Sequence, residues 1–330
     1  KAALTAAATS GIVGIVMAWH GFGVWSLVVQ QLLNLGVNTG LLWLLSKWRP
    51  RLVYSWRSFH ELFAFGSKLL ASGLLDTVYR NIYPIVIGKL FSASSLGHYT
   101  RAHQFSEFPS SNVTGIIQRV TYPVLCEIQN DDVRLANIYR KFLKLSAFVI
   151  FPLMAGLAAV AEPFVNIMLG SQWGFCGQLL QVICFSMMWY PVHSINLNLL
   201  QVKGRSDLFL RLEVIKKILG VAVLCVTAPF GLMVMCYGQI FSSLVSLVIN
   251  TYYTGKLINV GFVRQMRDLL PTTILCLIMF TLILLVNHFI GNDVVELCTG
   301  IVVGVVFYSL SSRVFKFSEL DELLSLIKRK

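Results

Sequence analysis

The chain has 330 residues, is 56% hydrophobic and has a mean hydropathy of +0.72. Soluble domains lie nearer roughly 45–50% apolar, so this composition belongs to a polytopic α-helical membrane protein. The apolar runs are continuous rather than alternating, which speaks against a β-barrel, and the net charge of +12 comes from basic residues in short loops, where membrane topology explains them without nucleic acid.

From Ala2 to Ser46 there is no Asp, Glu, Lys or Arg. That run is long enough for two passes, since one pass needs about 20 apolar residues. It divides at His20–Gly23 into Ala2–Trp19 and Val24–Leu45. Eight further segments follow: Leu62–Leu90, Leu96–Tyr122, Phe142–Ala161, Cys176–Leu200, Leu208–Ala228, Leu232–Thr254, Leu270–Ile290 and Val294–Ser311. Ser92–Ser95, Pro229–Gly231 and Gly291–Asp293 mark short turns, so the helices pair as hairpins.

Most of the 27 basic residues fall in one set of loops, and Lys89 is the one on the other side. The positive-inside rule puts the basic loops and the C-terminus in the cytoplasm. That set includes Lys203, Arg205, Arg211, Lys216 and Lys217. The tail after Arg313 spaces Phe315, Leu320, Leu323, Leu324 and Ile327 as an amphipathic helix, which reads equally as an interfacial helix or a loose tail. The longest loops, Glu162–Phe175 and about Pro123–Lys141, leave no room for a soluble catalytic domain. The chain opens on Lys1 and runs at once into a helix, which reads as the loss of an N-terminal part.

Seven scattered Cys without a CxxC pair indicate neither a disulfide framework nor a metal site. The sequence holds no GxSxG, HExxH, Walker A or DxD motif. No enzyme, cofactor or metal is expected, although H+ or Na+ remains open as a coupling ion.

Two segments stand apart. Leu62–Leu90 carries Lys68, Asp76 and Arg80, and Leu96–Tyr122 carries Arg101, Glu107 and Arg119. An ionised side chain at the bilayer centre costs roughly 2.5–3.5 kcal/mol even on the mildest scale, so such residues usually mark a pathway. Every other membrane-length stretch reads as nearly free of charge. Lys68, Ser72, Asp76, Tyr79 and Arg80 share one helical face. Thr100, Gln104, Glu107, Ser111, Thr114 and Gln118 form a stripe on the second helix, flanked by Arg101, Asn112 and Arg119. Asp76, Arg80 and Glu107 lie deepest. Either they pair internally, Asp76 with Arg80 and Glu107 with Arg80 or Arg101, or they line a cavity for an anionic head group or a coupling ion. On the later helix pair, Tyr190-Pro191-Val192-His193 with Asn196, Asn198 and Gln201 reads as cavity lining or as helix packing.

Several short runs, in this order and spacing, carry a resemblance: Leu96-Gly97-His98-Tyr99-Thr100-Arg101-Ala102, Pro109, Tyr122-Pro123-Val124-Leu125 and Asp131–Lys141. Phe151-Pro152-Leu153-Met154-Ala155-Gly156-Leu157, Ala161-Glu162-Pro163-Phe164, Leu169-Gly170-Ser171-Gln172-Trp173 and Gly204-Arg205-Ser206-Asp207 continue it. From Ser55 to about Lys217 the chain resembles the Wzx-type polysaccharide flippases of the MOP exporter superfamily.

The resemblance implies a MATE-like two-lobe fold of about ten helices here, with most of the N-lobe missing. Residues 1–46 would end the N-lobe, 47–61 form a basic linker, 62–254 the six-helix C-lobe, 255–312 two additional helices and 313–330 the cytoplasmic tail. It implies transfer of an undecaprenyl-pyrophosphate-linked oligosaccharide from the cytoplasmic to the periplasmic leaflet of the bacterial inner membrane. Lys68, Arg80, Arg101 and Arg119 would engage the pyrophosphate, and Asp76 and Glu107 would serve as counter-ions or couple transport. The implied partners are the lipid-linked oligosaccharide, the bilayer and other polysaccharide-assembly membrane proteins. A drug/cation antiporter of the same superfamily is the alternative, followed by a membrane-embedded polymerase or glycosyltransferase.

Overall fold

A computed structural model describes residues 2–45, 54–56, 59, 63, 74, 77–79 and 81–322, with the backbone alone at 206 and 207. All regular structure among them is helical. Among the described residues, seven helical stretches are long and apolar enough to cross a membrane, and the chain is a multi-pass membrane protein. Chain contacts divide it into two compact units, Lys1–Gly73 and Leu74–Lys330.

The first unit contains α1 (Ala2–Trp19) and α2 (Val24–Leu45), as the uncharged apolar run requires. Gly21 and Gly23 take positive φ in the turn between them. Lipid tails are as apolar as the side chains, so close packing and interhelical hydrogen bonds must hold the pair. Gly14 lets Gln30 approach, and Asn34 Nδ2 donates to Ser10 Oγ at 3.1 Å.

In the second unit, α3 (81–90) leads to α4 (Ala93–Glu127), α5 (Asp132–Ala159) and the short α6 (Ala161–Leu169). Next come α7 (Gly174–Met187), α8 (Tyr190–Val202), α9 (Ser206–Thr227), α10 (Leu232–Ile258), α11 (Phe262–Asn287) and α12 (Asp293–Val314). The core is built on α5, α7 and α8, where Tyr139, Phe151, Leu179, Ile183 and Ile195 are almost wholly buried. Asn166 of α6 bonds Asp293, and His98 packs on Trp173, so these residues mark one end of the unit. Lys203 Nζ donates to Gln129 O and pairs with Asp132 at the other end.

Several helices extend past their apolar stretches. The Asp131 side chain accepts from the Arg134 amide and starts α5 ten residues before the expected Phe142. With α4 continuing to Glu127, the expected loop Pro123–Lys141 shrinks to residues 128–131. Likewise α11 begins at Phe262 rather than Leu270, because Asp268 within it is paired. Glu162–Phe175 is α6 followed by a 3-10 turn over Ser171–Trp173 rather than a loop. After α12, helical structure resumes at Ser318 and is described to Glu322; the rest of the expected amphipathic tail lies outside the described residues.

The span expected at Cys176–Leu200 is broken between α7 and α8. Pro191 lacks an N–H, so the Met187 carbonyl one turn earlier loses its helical donor. Ser110 Oγ of α4 donates to that carbonyl at 2.8 Å. A neighbouring hydroxyl thus satisfies the backbone group that the break exposes, as the bilayer interior demands.

Candidate functional site

Of the six charges singled out from the sequence, Lys68, Asp76 and Arg80 lie outside the described residues. The other three stand on α4. Ser92 caps this helix by accepting from the Ser95 amide, and α4 continues through Pro109 and Pro123. Its buried face is Tyr99, Ala102, Ser106, Ser110 and Thr114, at helical spacing. Most of the expected polar stripe lies beside that face: Thr114 is buried, and Gln104 is exposed.

Arg101 is exposed, and its Nη1 donates to Gln104 Oε1 at 3.0 Å. Glu107 pairs with His103 at 3.4 Å, one turn back, rather than with Arg101. Arg119 is exposed. It lies at the same azimuth as Arg101 but 18 residues on, about 27 Å along the helix axis. One pyrophosphate cannot touch both.

Gln104 also borders a groove of about 880 Å³ between α4, α5, α11 and α12. Its walls are apolar: Phe105 and Phe108 of α4, Leu153 and Gly156 of α5, Ile283 of α11 and Val305 of α12. Phe108, Ile301 and Val305 are more than half exposed, so the groove opens to the outside of the unit. Gly300 and Gly304 let α12 approach Val160 and Ile283 at its floor. The groove is shaped for a hydrocarbon chain, and Arg101 is one hydrogen bond from its polar edge.

A second charged cluster was not expected. Lys216 and Lys217, read from the sequence as loop residues, are ten and eleven residues into α9, about 15 Å from its start and near its middle. Reading every other span as nearly free of charge is therefore corrected. The physical reason is that Lys216 is paired with Glu213 one turn before it, with side chains 13% and 24% exposed. Pairing lowers the cost of placing the two charges there. The Lys217 ammonium lies 5.8 Å from the centre of the Tyr79 ring, which packs on Gly220. The signal was present as an acid and a base at i and i+3 inside Leu208–Ala228.

The polar end of α8 packs rather than lining this groove. Asn196 and Gln265 exchange amide hydrogen bonds of 3.0 and 3.1 Å between α8 and α11, and Thr254 of α10 donates to Asn196 Oδ1 at 2.7 Å. His193 joins the same seam one turn earlier. All seven cysteines are free, and no group of three His, Cys, Asp or Glu among the described residues is arranged to hold a metal.

A family model described as polysaccharide biosynthesis protein matches residues 1–178. The teichuronic acid biosynthesis protein TuaB of Bacillus subtilis (strain 168) is 25% identical over 288 residues, covering 85% of this chain and 60% of that protein. The succinoglycan biosynthesis transport protein ExoT of Rhizobium meliloti (strain 1021) is 22% identical, covering 96% of this chain and 65% of its own length. The lipopolysaccharide biosynthesis protein WzxC of Escherichia coli (strain K12) is 26% identical, covering 75% and 50%. The chain thus spans 50–65% of the length of these relatives. Among solved structures, it resembles the lipid II flippase MurJ in an inward closed conformation. The TM-score is 0.72 at 15% identity, over 94% of this chain and 67% of that one, which shows a shared fold.

Proposed function

The chain belongs to the polysaccharide biosynthesis protein family, and on that premise we propose that it serves in a flippase for undecaprenyl-pyrophosphate-linked oligosaccharides. The substrate passes from the cytoplasmic to the periplasmic leaflet of the bacterial inner membrane by alternating access. The observation that carries this reading is the meeting of an apolar groove with a cationic residue, through Gln104. The polyprenyl chain lies in the groove, and its pyrophosphate lies toward the polar face of α4. The printed names of the relatives, which concern polysaccharide biosynthesis and transport, support the same class of substrate.

Arg101 and Arg119 act as successive stations for the head group rather than as one site, because about 27 Å of helix separates them. Lys68 and Arg80 belong to the same cationic path, with Asp76 and Glu107 as counter-ions or coupling groups for H+ or Na+. The C-terminus faces the cytoplasm. Residues 1–46 close the N-lobe, 62–254 form the C-lobe and 255–312 add two helices beside it.

Reconstitution tests this reading. Liposomes holding the full-length protein should move an undecaprenyl-pyrophosphate-linked oligosaccharide between leaflets. Vesicles that extrude organic cations and leave the lipid in place would point to the antiporter instead.

A further inference from the structure

α12 closes in a Schellman turn. The Phe317 amide donates to Ser312 O at 3.0 Å and the Lys316 amide to Arg313 O at 3.1 Å, with Lys316 at φ 51°. Phe317 then packs on Phe148 of α5, with ring centres 5.9 Å apart. This lays the helical turn of residues 318–322 beside the polar end of α5. An open cleft of about 270 Å³ lies between the two. Its α5 wall carries Arg140, Lys141 and Lys144 on one helical face, and its tail wall carries Glu319 and Glu322.

The walls are opposite in charge, and part of that charge is unpaired. Lys141 Nζ meets Glu322 Oε1 at 2.7 Å and closes one side. Arg140 gives Nε and Nη2 to Asp268 behind the cleft. Those bonds engage both Asp268 oxygens, and Lys144 Nζ lies 3.8 Å from Oδ1, too far for a hydrogen bond. Glu319 is only 9% exposed, and its Oε2 accepts from the neighbouring Ser318 hydroxyl at 3.2 Å. No basic side chain among the described residues pairs with it. A carboxylate this buried normally holds a cation or several donors. Lys144 and Glu319 thus border one cavity with opposite charges, and they do not pair with each other.

We propose that this cleft holds the head group of a phospholipid that carries a phosphodiester beside a primary ammonium. The phosphate lies against Lys144, and the ammonium donates to Glu319. A ligand of one sign would satisfy one wall and be opposed by the other. A quaternary amine has no N–H to give the carboxylate. The level of the cleft selects a lipid over a soluble zwitterion. The apolar stretch of α5 starts at Phe142, between Lys141 and Lys144, so the cleft stands where hydrocarbon gives way to head groups. Occupancy of this cleft is separate from the transport reading, since neither Arg101 nor the apolar groove takes part.

Native mass spectrometry of the full-length protein, released from nanodiscs of mixed phosphatidylethanolamine, phosphatidylcholine and phosphatidylglycerol, provides the test. The three lipids share the phosphodiester and differ in the group beside it. One phosphatidylethanolamine should stay bound in preference to the other two. Glu319→Gln should lower that preference about tenfold, the size of a lost charge-assisted hydrogen bond. Lys144→Met should weaken retention of the lipid, and Lys144→Arg should restore it. Should Glu319→Gln fail to insert, the two Lys144 variants carry the test.

Equal retention of the three lipids by the wild type overturns the site. Preference for phosphatidylglycerol overturns the ammonium contact with Glu319. A preference that survives both Glu319→Gln and Lys144→Met puts the lipid elsewhere and overturns the assignment to this cleft. Displacement of the lipid by an equal concentration of soluble phosphoethanolamine overturns the lipid as its occupant.

Discussion

Arg140 meets Asp268 edge to edge: Nε donates to Oδ2 and Nη2 to Oδ1, each at 2.6 Å. The Asp268 side chain is 6% exposed, and Lys144 lies 3.8 Å from its other side. This fork joins α5 to α11. Removing one partner of a buried pair strands the other charge, at a cost of roughly 3–5 kcal/mol. Arg140 keeps some contact with solvent, so Asp268→Asn should cost about 3 kcal/mol, the lower end. The double variant Arg140→Met, Asp268→Asn should recover most of that loss, because no charge is then left stranded. A double-mutant cycle from detergent unfolding midpoints measures the coupling, and additive losses would contradict it.

The glycines of the second unit should respond by position. A Cβ at Gly300 would sit 2.5 Å from Val160 Cγ1 and 3.2 Å from Ile283 Cγ2, whereas one at Gly115 of α4 would meet nothing within 4 Å. Gly300→Ala should therefore destabilise the protein by about 1–3 kcal/mol through overpacking. Gly115→Ala should be neutral, or stabilising by up to about 1 kcal/mol, through helix propensity. Thermal melting of both variants checks the contrast, and equal effects would refute the close approach at Gly300.

Asn196→Leu should also destabilise, although leucine is the more apolar residue. The substitution leaves Gln265 and Thr254 without their amide partner in a buried site. Each unsatisfied buried group costs about 1–3 kcal/mol. Replacing Asn196 and Gln265 together by Leu should cost less than the two single losses combined. Hydrogen exchange at the first turn of α11 would report whether the seam has loosened.

How much of this was legible in the sequence follows from what each helix is made of. The limits Ala2–Trp19 and Val24–Leu45 could be read directly, because the run has no charge and Gly21 and Gly23 mark its turn. The starts of α5 and α11 could not. Arg140 and Asp268 lower the local hydropathy, and only their pairing across 128 residues shows why both fit within helices. Lys216 was misplaced for the same reason, its partner being Glu213. The charges of α4 were found, yet their partners His103 and Gln104 were not foreseen, because a polar stripe does not specify rotamers. The groove left no sequence signal at all, since two helix pairs far apart in the chain, α4 with α5 and α11 with α12, build its walls.

Glu107 offers a test of coupling. It is half exposed, and its carboxylate pairs with His103. If it carries a coupling proton or balances the cationic path, Glu107→Gln should alter how flipping in the full-length protein depends on the proton motive force, with insertion unchanged. Initial rates in vesicles with an imposed pH gradient provide the readout. An unchanged dependence would remove Glu107 from coupling.

Transport by this route requires the groove to hold a lipid chain. Gly156 lies on its wall, and a Cβ there would meet only the flexible Met279 Cε, at 3.9 Å. Gly156→Leu should therefore fill the groove without disturbing the fold. The decisive measurement is leaflet transfer of undecaprenyl-pyrophosphate-linked oligosaccharide by the full-length protein in liposomes, wild type against Gly156→Leu at equal insertion. The variant should lose at least tenfold in initial rate, which is about 1.4 kcal/mol in the barrier. Wild-type transfer by Gly156→Leu would contradict it.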